Sequence, residues 1–220
     1  MLKDIRAVLF DLDGTLIDSA SDLGAAADKI RTDRGLPPLP LADYRPMAGA
    51  GARGMLGVAF GITPEHPEFE ALRQEFLSNY DACLLDRTHA FDGVARLLQA
   101  IEAASMRWGI VTNKHERFTL PIAHRMPVLS NAATVISGDT TPHAKPHPAP
   151  LLEAARQLGL PAQQCIYVGD DERDIVAGRA AGMHTVAAAW GYIGAVPLQS
   201  WHADTVANTP QDLLSLLGLA

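Results

Sequence analysis

Residues 5–15 read IRAVLFDLDGT, and this stretch decides the fold of the chain. Residues 5–10 form an aliphatic and β-branched run, which predicts a short buried strand. Asp11 and Asp13 follow at once, and Gly14 favours a turn. Two carboxylates at the end of a buried strand are costly without a partner, so the stretch predicts a polar functional site where the strand ends.

Two different patterns follow along the 220-residue chain. From residue 20 to about residue 84 the apolar side chains recur at helical spacing, and no convincing strand is present. Beyond that segment, strands alternate with helices of roughly ten residues, which predicts right-handed βαβ units and a parallel sheet covered on both faces. The predicted strands of this part are 108–112, 133–136, 165–168 and 184–188, and its helices include 150–158 and 174–181.

These patterns predict an α/β fold: a doubly wound, Rossmann-like parallel-sheet core with an inserted all-helical cap. We assign the core to residues 1–18 and 85–220 and the cap to residues 19–84, with hinges near Ser19 and Thr88. Two apolar faces are predicted to be buried in the cap: Leu23, Ala27 and Ile30, and Phe69, Leu72, Phe76 and Tyr80.

The composition argues against several classes of protein. The 25 acidic residues outnumber the 18 basic ones and no basic stripe is present, which disfavours nucleic acid as a partner. Cys83 and Cys165 are too isolated to form a disulfide framework or a structural metal site. Charges interrupt the first apolar run, and no run reaches about 18 apolar residues, so we expect a cytoplasmic protein without a membrane span.

Polar residues follow the first four strands of the predicted core. Ligands of doubly wound sheets bind outside the carboxyl ends of the strands, so these residues are the candidates for a site. After the DLDGT segment at 11–15, they are Thr112 and Asn113, then Lys145 with Pro146, and then GDDERD at 169–174.

In this order, the four segments resemble the four motifs of the haloacid dehalogenase superfamily of phosphatases, and the resemblance covers nearly the whole chain. The helical insert is similar to the small cap of the phosphoglycolate phosphatase branch. The resemblance implies an enzyme that hydrolyses a small phosphomonoester with Mg²⁺ through an aspartyl-phosphate intermediate.

The resemblance also implies a role for each acid of the first motif. Asp11 attacks phosphorus, and Asp13 protonates the leaving alkoxide and later deprotonates the hydrolytic water. Asp11, the main-chain carbonyl of Asp13 and Asp170 hold Mg²⁺, a hard ion that prefers oxygen ligands. A phosphate monoester is a dianion, so a carboxylate can approach it only when a cation neutralises part of the charge.

The remaining motif residues are assigned to binding and orientation. Lys145 pairs with the nucleophile and with the phosphoryl oxygens, while Thr112 and the backbone N–H of Asn113 hold those oxygens. Asp171 and Asp174 are expected to orient the waters bound to the metal.

Three other patterns are interpreted without a catalytic role. GAGARG at 49–54 matches a dinucleotide-binding pattern, but it follows 43–46 rather than a strand and is predicted to be a cap loop. His143 and His147 lack a third ligand nearby, which disfavours zinc. The charge run KHER at 114–117 is predicted to be a solvated helix face.

Substrate choice stays open. The glycine-rich segment 45–53 is similar to the substrate loop of phosphoglycolate phosphatases, which implies substrate contacts for Gly49, Gly51 and Arg53. Segments at 34–38, 112–114, 117–118 and 191–193 are also similar to N-acetylmuramic acid 6-phosphate phosphatases. A β-phosphoglucomutase-like enzyme shares the core motifs. Asp13 argues against a dehalogenase, and the intact motifs argue against a pseudo-enzyme that only binds phosphorylated ligands.

Overall fold

The computed structural model describes residues 4–194 and 196–219. By their internal contacts the residues divide into two compact units, Met1–Ile17 with Ala90–Ala220 and Asp18–His89. The division predicted from the sequence, after residues 18 and 84, lies within five residues of these bounds. Its interpretation as a catalytic core and a cap stays a prediction.

A six-stranded parallel sheet forms the centre of the first unit, with strand order β5-β4-β1-β6-β7-β8. The strands in chain order are β1 Ala7–Phe10, β2 Ile17–Asp18, β3 His89–Ala90, β4 Arg107–Val111, β5 Val135–Ile136, β6 Cys165–Gly169, β7 His184–Ala188 and β8 Thr205–Ala207. The short strands β2 and β3 pair with each other. The order reverses beside β1, so the predicted doubly wound α/β fold is confirmed.

The register of the sheet brings the polar strand ends to one edge. Phe10, the last residue of β1, pairs with Ile110 of β4 and with Val168 of β6. All three strands run in the same direction and are fully buried at these positions. The residues that follow them therefore emerge side by side at the carboxyl edge of the sheet.

The described residues of the first unit contain five α-helices: α5 Val94–Ala103, α6 Glu116–Arg125, α7 Ala149–Gln157, α8 Glu172–Ala180 and α9 Pro210–Leu217. Strand β8 and helix α9 were not predicted from the sequence. The signal of β8 is weak because only Ala207 of its three residues is buried. Helix α9 does carry a readable signal, because Thr209 and Asp212 form a capping box around Pro210.

The second unit contains four α-helices in its described residues: α1 Ala20–Asp33, α2 Leu41–Tyr44, α3 Gly51–Phe60 and α4 Phe69–Ala82. Helix α1 packs against α3 and α4. Both predicted apolar faces, on α1 and α4, are buried. None of the helices within residues 4–194 and 196–219 has the length and apolarity needed to cross a bilayer.

The glycine-rich segment of the second unit is helical, so its interpretation as a loop is wrong. Residues 45–50 form a 3-10 helix, and α3 follows directly from Gly51. Gly54 lies on α3 where a Cβ would approach the carbonyl oxygen of Met47 to 2.4 Å. At least this glycine serves close packing between the two helical segments rather than a phosphate-binding turn.

Candidate active site

Three carboxylates meet at the carboxyl edge of the sheet. Asp11 follows β1, Asp170 follows β6, and Asp174 lies in the first turn of α8. Each offers one oxygen, and the three oxygens lie within 4.8 Å of one another. Asp170 and Asp174 are almost fully buried, so water screens little of the repulsion among the three charges.

Lys145 is the positive charge inside this cluster. Its Nζ donates to Asp11 Oδ1 at 2.8 Å and to Asp174 Oδ1 at 2.7 Å. Lys145 Nζ also donates to the Tyr167 hydroxyl oxygen at 2.8 Å and to the Val111 carbonyl oxygen at 3.0 Å. Burial alone would lower the pKa of Lys145, but the charges of Asp11 and Asp174 outweigh it and raise that pKa. The lysine therefore stays charged.

One lysine does not neutralise three carboxylates. Burial raises the pKa of Asp11 to about 6, although Lys145 opposes the rise. Burial, followed by the charges of Asp11 and Asp174, raises the pKa of Asp170 well above its usual range. The cluster is therefore short of positive charge, and its hard oxygen donors are those that Mg²⁺ prefers.

Asp170 is fixed by close backbone approach from two sides. Its carboxylate accepts hydrogen bonds from the Thr15 hydroxyl and from the Tyr192 N–H, both at 2.9 Å. A Cβ at Gly14, whose φ is +90°, would lie 2.1 Å from the Asp170 carboxylate. A Cβ at Gly191 would lie 2.3 Å from Asp170 Cβ. Both positions require glycine, and the segment after β7 is a part of the site that the motif assignments missed.

Asn113 connects two of the predicted motifs through its side chain. Its Nδ2 donates to the Lys145 carbonyl and its Oδ1 accepts from the Lys145 N–H, both at 2.9 Å. The side-chain oxygen of the neighbouring Thr112 accepts from the Lys114 N–H at 3.1 Å. The Asn113 side chain thus fixes the segment that carries Lys145, a function that the sequence analysis did not anticipate.

Asp171 and Asp174 occupy different environments. Asp171 caps α8 and pairs with Arg173 at 2.7 Å. Asp174 completes the capping box by accepting from the Asp171 N–H, and its other oxygen contacts Lys145. A Cβ at Gly169 would lie 2.3 Å from the Asp174 carboxyl carbon, so glycine lets α8 approach the sheet. The predicted role of both acids toward metal-bound water stays a prediction.

The charge run at 114–117 is not uniformly solvated, and its interpretation is wrong at Lys114. Residues 115–117 are exposed as predicted, and His115 caps α6 and pairs with Asp139 at 2.9 Å. Lys114 precedes the helix, and its Nζ contacts both carboxylate oxygens of Asp13 at 3.0 Å. Only 9% of the Lys114 side chain is exposed.

The predicted substrate residues Gly49, Gly51 and Arg53 lie in the second unit. Gly49 belongs to the 3-10 helix, and Gly51 begins α3 with a φ of 57°, which favours glycine. Arg53 is exposed on the first turn of α3. Their contact with substrate stays a prediction.

The buried carboxylates and lysine at the carboxyl edge of a doubly wound sheet define an α/β enzyme. Residues 8–188 match the family model of haloacid dehalogenase-like hydrolases. The chain belongs to this family, which confirms the resemblance drawn from the four motifs.

The similar proteins include two curated bacterial phosphatases. A phosphoglycolate phosphatase of Xanthomonas campestris pv. campestris is 49% identical over 209 residues, 94% of each chain. An N-acetylmuramic acid 6-phosphate phosphatase of Pseudomonas aeruginosa is 41% identical over 217 residues, 98% of this chain and 96% of the relative. The solved structure of a predicted phosphoglycolate phosphatase from Haemophilus somnus 129PT matches with a TM-score of 0.86 at 26% identity, covering 99% and 100% of the chains.

Proposed function

We propose that the chain is a Mg²⁺-dependent phosphomonoester hydrolase that acts on a small phosphorylated metabolite, with 2-phosphoglycolate as the first candidate substrate. The observation that carries the proposal is the contact of Lys145 Nζ with Asp11, at 2.8 Å, inside a cluster of buried carboxylates. The 49% identity to a curated phosphoglycolate phosphatase supports this substrate class.

Asp11 is the proposed nucleophile. One of its carboxylate oxygens forms a bond to phosphorus while the bond between phosphorus and the leaving oxygen breaks, giving an aspartyl-phosphate. Asp13 donates its proton to the leaving oxygen. In the second step Asp13 takes a proton from water, the water oxygen bonds to phosphorus, and the Asp11 carboxylate is released as phosphate forms.

The residues present fit a magnesium ion. Asp11, Asp170 and the main-chain carbonyl of Asp13 would hold it, and Asp174 offers another carboxylate oxygen close by. The bound ion would supply the positive charge that lets an anionic nucleophile meet a dianionic substrate.

The other motif residues bind the transferred phosphoryl group. We assign its oxygens to the Thr112 hydroxyl, the Asn113 N–H and the Lys145 ammonium, which are donors suited to growing negative charge. The buried pairing with Asp174 keeps Lys145 charged and directed toward Asp11. Asp171 is proposed to orient metal-bound water.

Mg²⁺ should be required for activity and should stabilise the folded chain. EDTA should abolish hydrolysis of p-nitrophenyl phosphate, and Mg²⁺ should restore it. At a free Mg²⁺ concentration of 100 Kd, binding stabilises by about 2.7 kcal/mol, which raises Tm by roughly 5 to 10 °C. Differential scanning calorimetry with Mg²⁺ or EDTA measures this shift without relying on activity.

Asp170→Asn provides the comparison for the Mg²⁺ experiment. This variant should lose most of the Mg²⁺-induced rise in Tm, because it lacks one of the proposed ligands. Asp33→Asn, an exposed aspartate of the second unit, should keep the full rise. Full hydrolysis in EDTA, or an equal Tm rise in Asp170→Asn, would contradict the metal assignment.

N-acetylmuramic acid 6-phosphate is the second candidate substrate. The 41% identical relative named for this substrate covers 98% of the chain, which is the observation that favours it. The discriminating experiment is a screen of both candidates and of hexose 1-phosphates with Mg²⁺, ranked by kcat/KM. Release of inorganic phosphate identifies a phosphatase, whereas transfer between sugar hydroxyls would identify a phosphomutase instead.

Arg53 is proposed to bind the carboxylate that both candidate substrates carry, with Gly49 and Gly51 allowing close backbone approach. Arg53→Ala should then lower kcat/KM for the natural substrate by about 10- to 1000-fold, as expected for the loss of a charged contact. Hydrolysis of p-nitrophenyl phosphate, which has no carboxylate, should change little. Arg73→Ala, which removes a partly exposed arginine of α4 that pairs with Glu70, serves as the control. Equal losses on both substrates would contradict the assignment.

A further inference from the structure

The proposed chemistry uses Asp13 but gives no function to the buried ion pair that Asp13 forms with Lys114. Lys114 Nζ donates to both carboxylate oxygens of Asp13 at 3.0 Å, and the two side chains are only 9% and 12% exposed. Such burial sets the pair apart from a surface salt bridge, which contributes little because water and salt screen it. The contact joins the segment after β1 to the segment after β4, which lie far apart in sequence, so it forms only when these two strands pair in the observed register.

The backbone of Lys114 is held from three directions. Its N–H donates to Thr112 Oγ1 at 3.1 Å, and its carbonyl oxygen accepts from the Gly138 N–H at 2.8 Å and from Thr119 Oγ1 at 3.0 Å. A Cβ at Gly138 would lie 2.2 Å from the Asn113 carbonyl, so glycine is required for this approach. The direction in which the lysine side chain leaves the main chain is therefore fixed.

The two acids of the DLD segment face different cations. Asp11 contacts Lys145 within the carboxylate cluster, while Asp13 contacts Lys114. The Asp13 carboxylate does not belong to the group formed by Asp11, Asp170 and Asp174 in the described part of the chain. Asp11 therefore lies in the candidate metal cluster, and Asp13 pairs with a separate lysine.

We propose that Lys114 is a positioning residue that holds the Asp13 carboxylate in place for proton transfer to the leaving oxygen and, in the second step, from the attacking water. The inference rests on the proposed function of Asp13. Proton transfer needs the donor and acceptor atoms within about 2.6 to 3.2 Å, and a carboxylate free to rotate spends little time there. An ammonium that contacts both oxygens restrains this rotation.

A positioning role predicts losses that depend on the leaving group. A p-nitrophenolate leaves without being protonated, whereas an alkoxide needs the proton from Asp13. Because kcat/KM reports the steps up to the first irreversible one, it isolates phosphoryl transfer from the later attack by water. Ethyl phosphate has an alkoxide leaving group and no carboxylate, whereas 2-phosphoglycolate has an alkoxide leaving group that carries a carboxylate.

The experiment measures kcat/KM of Lys114→Met for these three esters in Mg²⁺. We expect kcat/KM to fall about 10- to 100-fold for both alkyl esters and less than about 3-fold for p-nitrophenyl phosphate. The variant should also show a burst of p-nitrophenolate, because attack of water on the phosphorylated enzyme still needs Asp13. Lys29→Met, which removes an exposed lysine that pairs with Asp33, is the matched control.

A double-mutant cycle shows whether Lys114 acts through Asp13. In the Asp13→Ala background, Lys114→Met should lower kcat/KM for alkyl esters no further. Lys114→Gln replaces Lys114→Met if calorimetry shows that the latter does not fold.

Three results would overturn the proposal: a loss confined to 2-phosphoglycolate, an equal loss on all three esters, or an additive loss in the Asp13→Ala background. The first would make Lys114 a carboxylate-binding residue. If the wild type hydrolyses none of the esters, or if Asp13→Ala lowers all three equally, the proposed function itself fails and the role of Lys114 with it.

Discussion

Asp11→Asn should lower kcat for phosphomonoester hydrolysis by about 10⁴-fold or more while leaving the chain folded. The amide nitrogen and oxygen cannot form the acyl-phosphate that the proposed reaction requires, and the amide also lacks the charge that binds Mg²⁺. Acid quenching followed by mass spectrometry of the peptide that contains Asp11 should show the mass of one added phosphoryl group in the wild type only. Asp33→Asn, on the surface of the second unit, should keep full activity and is the control.

The stability of Asp11→Asn separates lost chemistry from lost folding. Burial raises the pKa of Asp11 from 3.8 to about 6, so the folded chain disfavours its charged form. An acid whose folded pKa is raised destabilises the protein increasingly as pH rises from its unfolded pKa through the folded one. In EDTA at pH 7, Asp11→Asn should therefore melt no lower than the wild type. Substantial residual turnover, or a collapse in Tm, would contradict the assignment of Asp11.

The sequence was sufficient to predict the parts of the site in which the acids directly follow a buried strand. DLDGT joins a buried strand to two acids within a few residues, and the segment 169–174 does the same after β6. Because parallel strands end at one edge, the convergence of Asp11 and Asp170 followed from topology alone. The proximity of their oxygens agrees with that inference.

Residues whose environment depends on register could not be predicted in this way. Tyr167 lies in the apolar run CIYVG and resembles a core residue, yet its hydroxyl contacts Lys145 Nζ at 2.8 Å because β6 pairs with β1 at Leu9. Lys114 belongs to a charged run typical of a solvated helix, but it precedes the helix and lies beside Asp13. Both contacts join segments distant in sequence, and no local pattern encodes them.

Lys145→Met should lower both the stability of the folded chain and its turnover. Lys145 is the cation between Asp11 and Asp174, and its side chain is 3% exposed. Removing one partner of a buried ion pair leaves uncompensated charge and typically costs about 3 to 5 kcal/mol. For a chain of this length such a loss corresponds to roughly 6 to 20 °C in Tm. Turnover should fall about 10²-fold or more, because the phosphoryl oxygens lose a charged donor.

The pH dependence of Lys145→Met tests the electrostatic cause. Lys145 lowers the pKa of Asp11, which burial raises to about 6, so its removal should raise that pKa further. The Tm deficit of the variant in EDTA should accordingly be smaller at pH 5, where Asp11 takes up a proton, and larger at pH 8. Calorimetry at both pH values measures this difference. A deficit that does not change with pH would indicate lost packing rather than unpaired charge.

Two further variants test whether Lys145→Met loses stability through unpaired charge rather than through lost packing. Tyr167→Phe keeps the lysine and removes only a hydroxyl, which contacts Lys145 Nζ, the Val111 carbonyl oxygen and Asp174 Oδ1. It should cost about 1 to 3 kcal/mol, the usual cost of leaving a buried polar group without its partner. Adding Asp11→Asn to Lys145→Met removes one of the two stranded carboxylates, and the double variant should melt above Lys145→Met alone. If it melts lower instead, the Asp11 carboxylate left without Lys145 is not what destabilises Lys145→Met, and the charge balance inferred for this edge of the sheet is wrong.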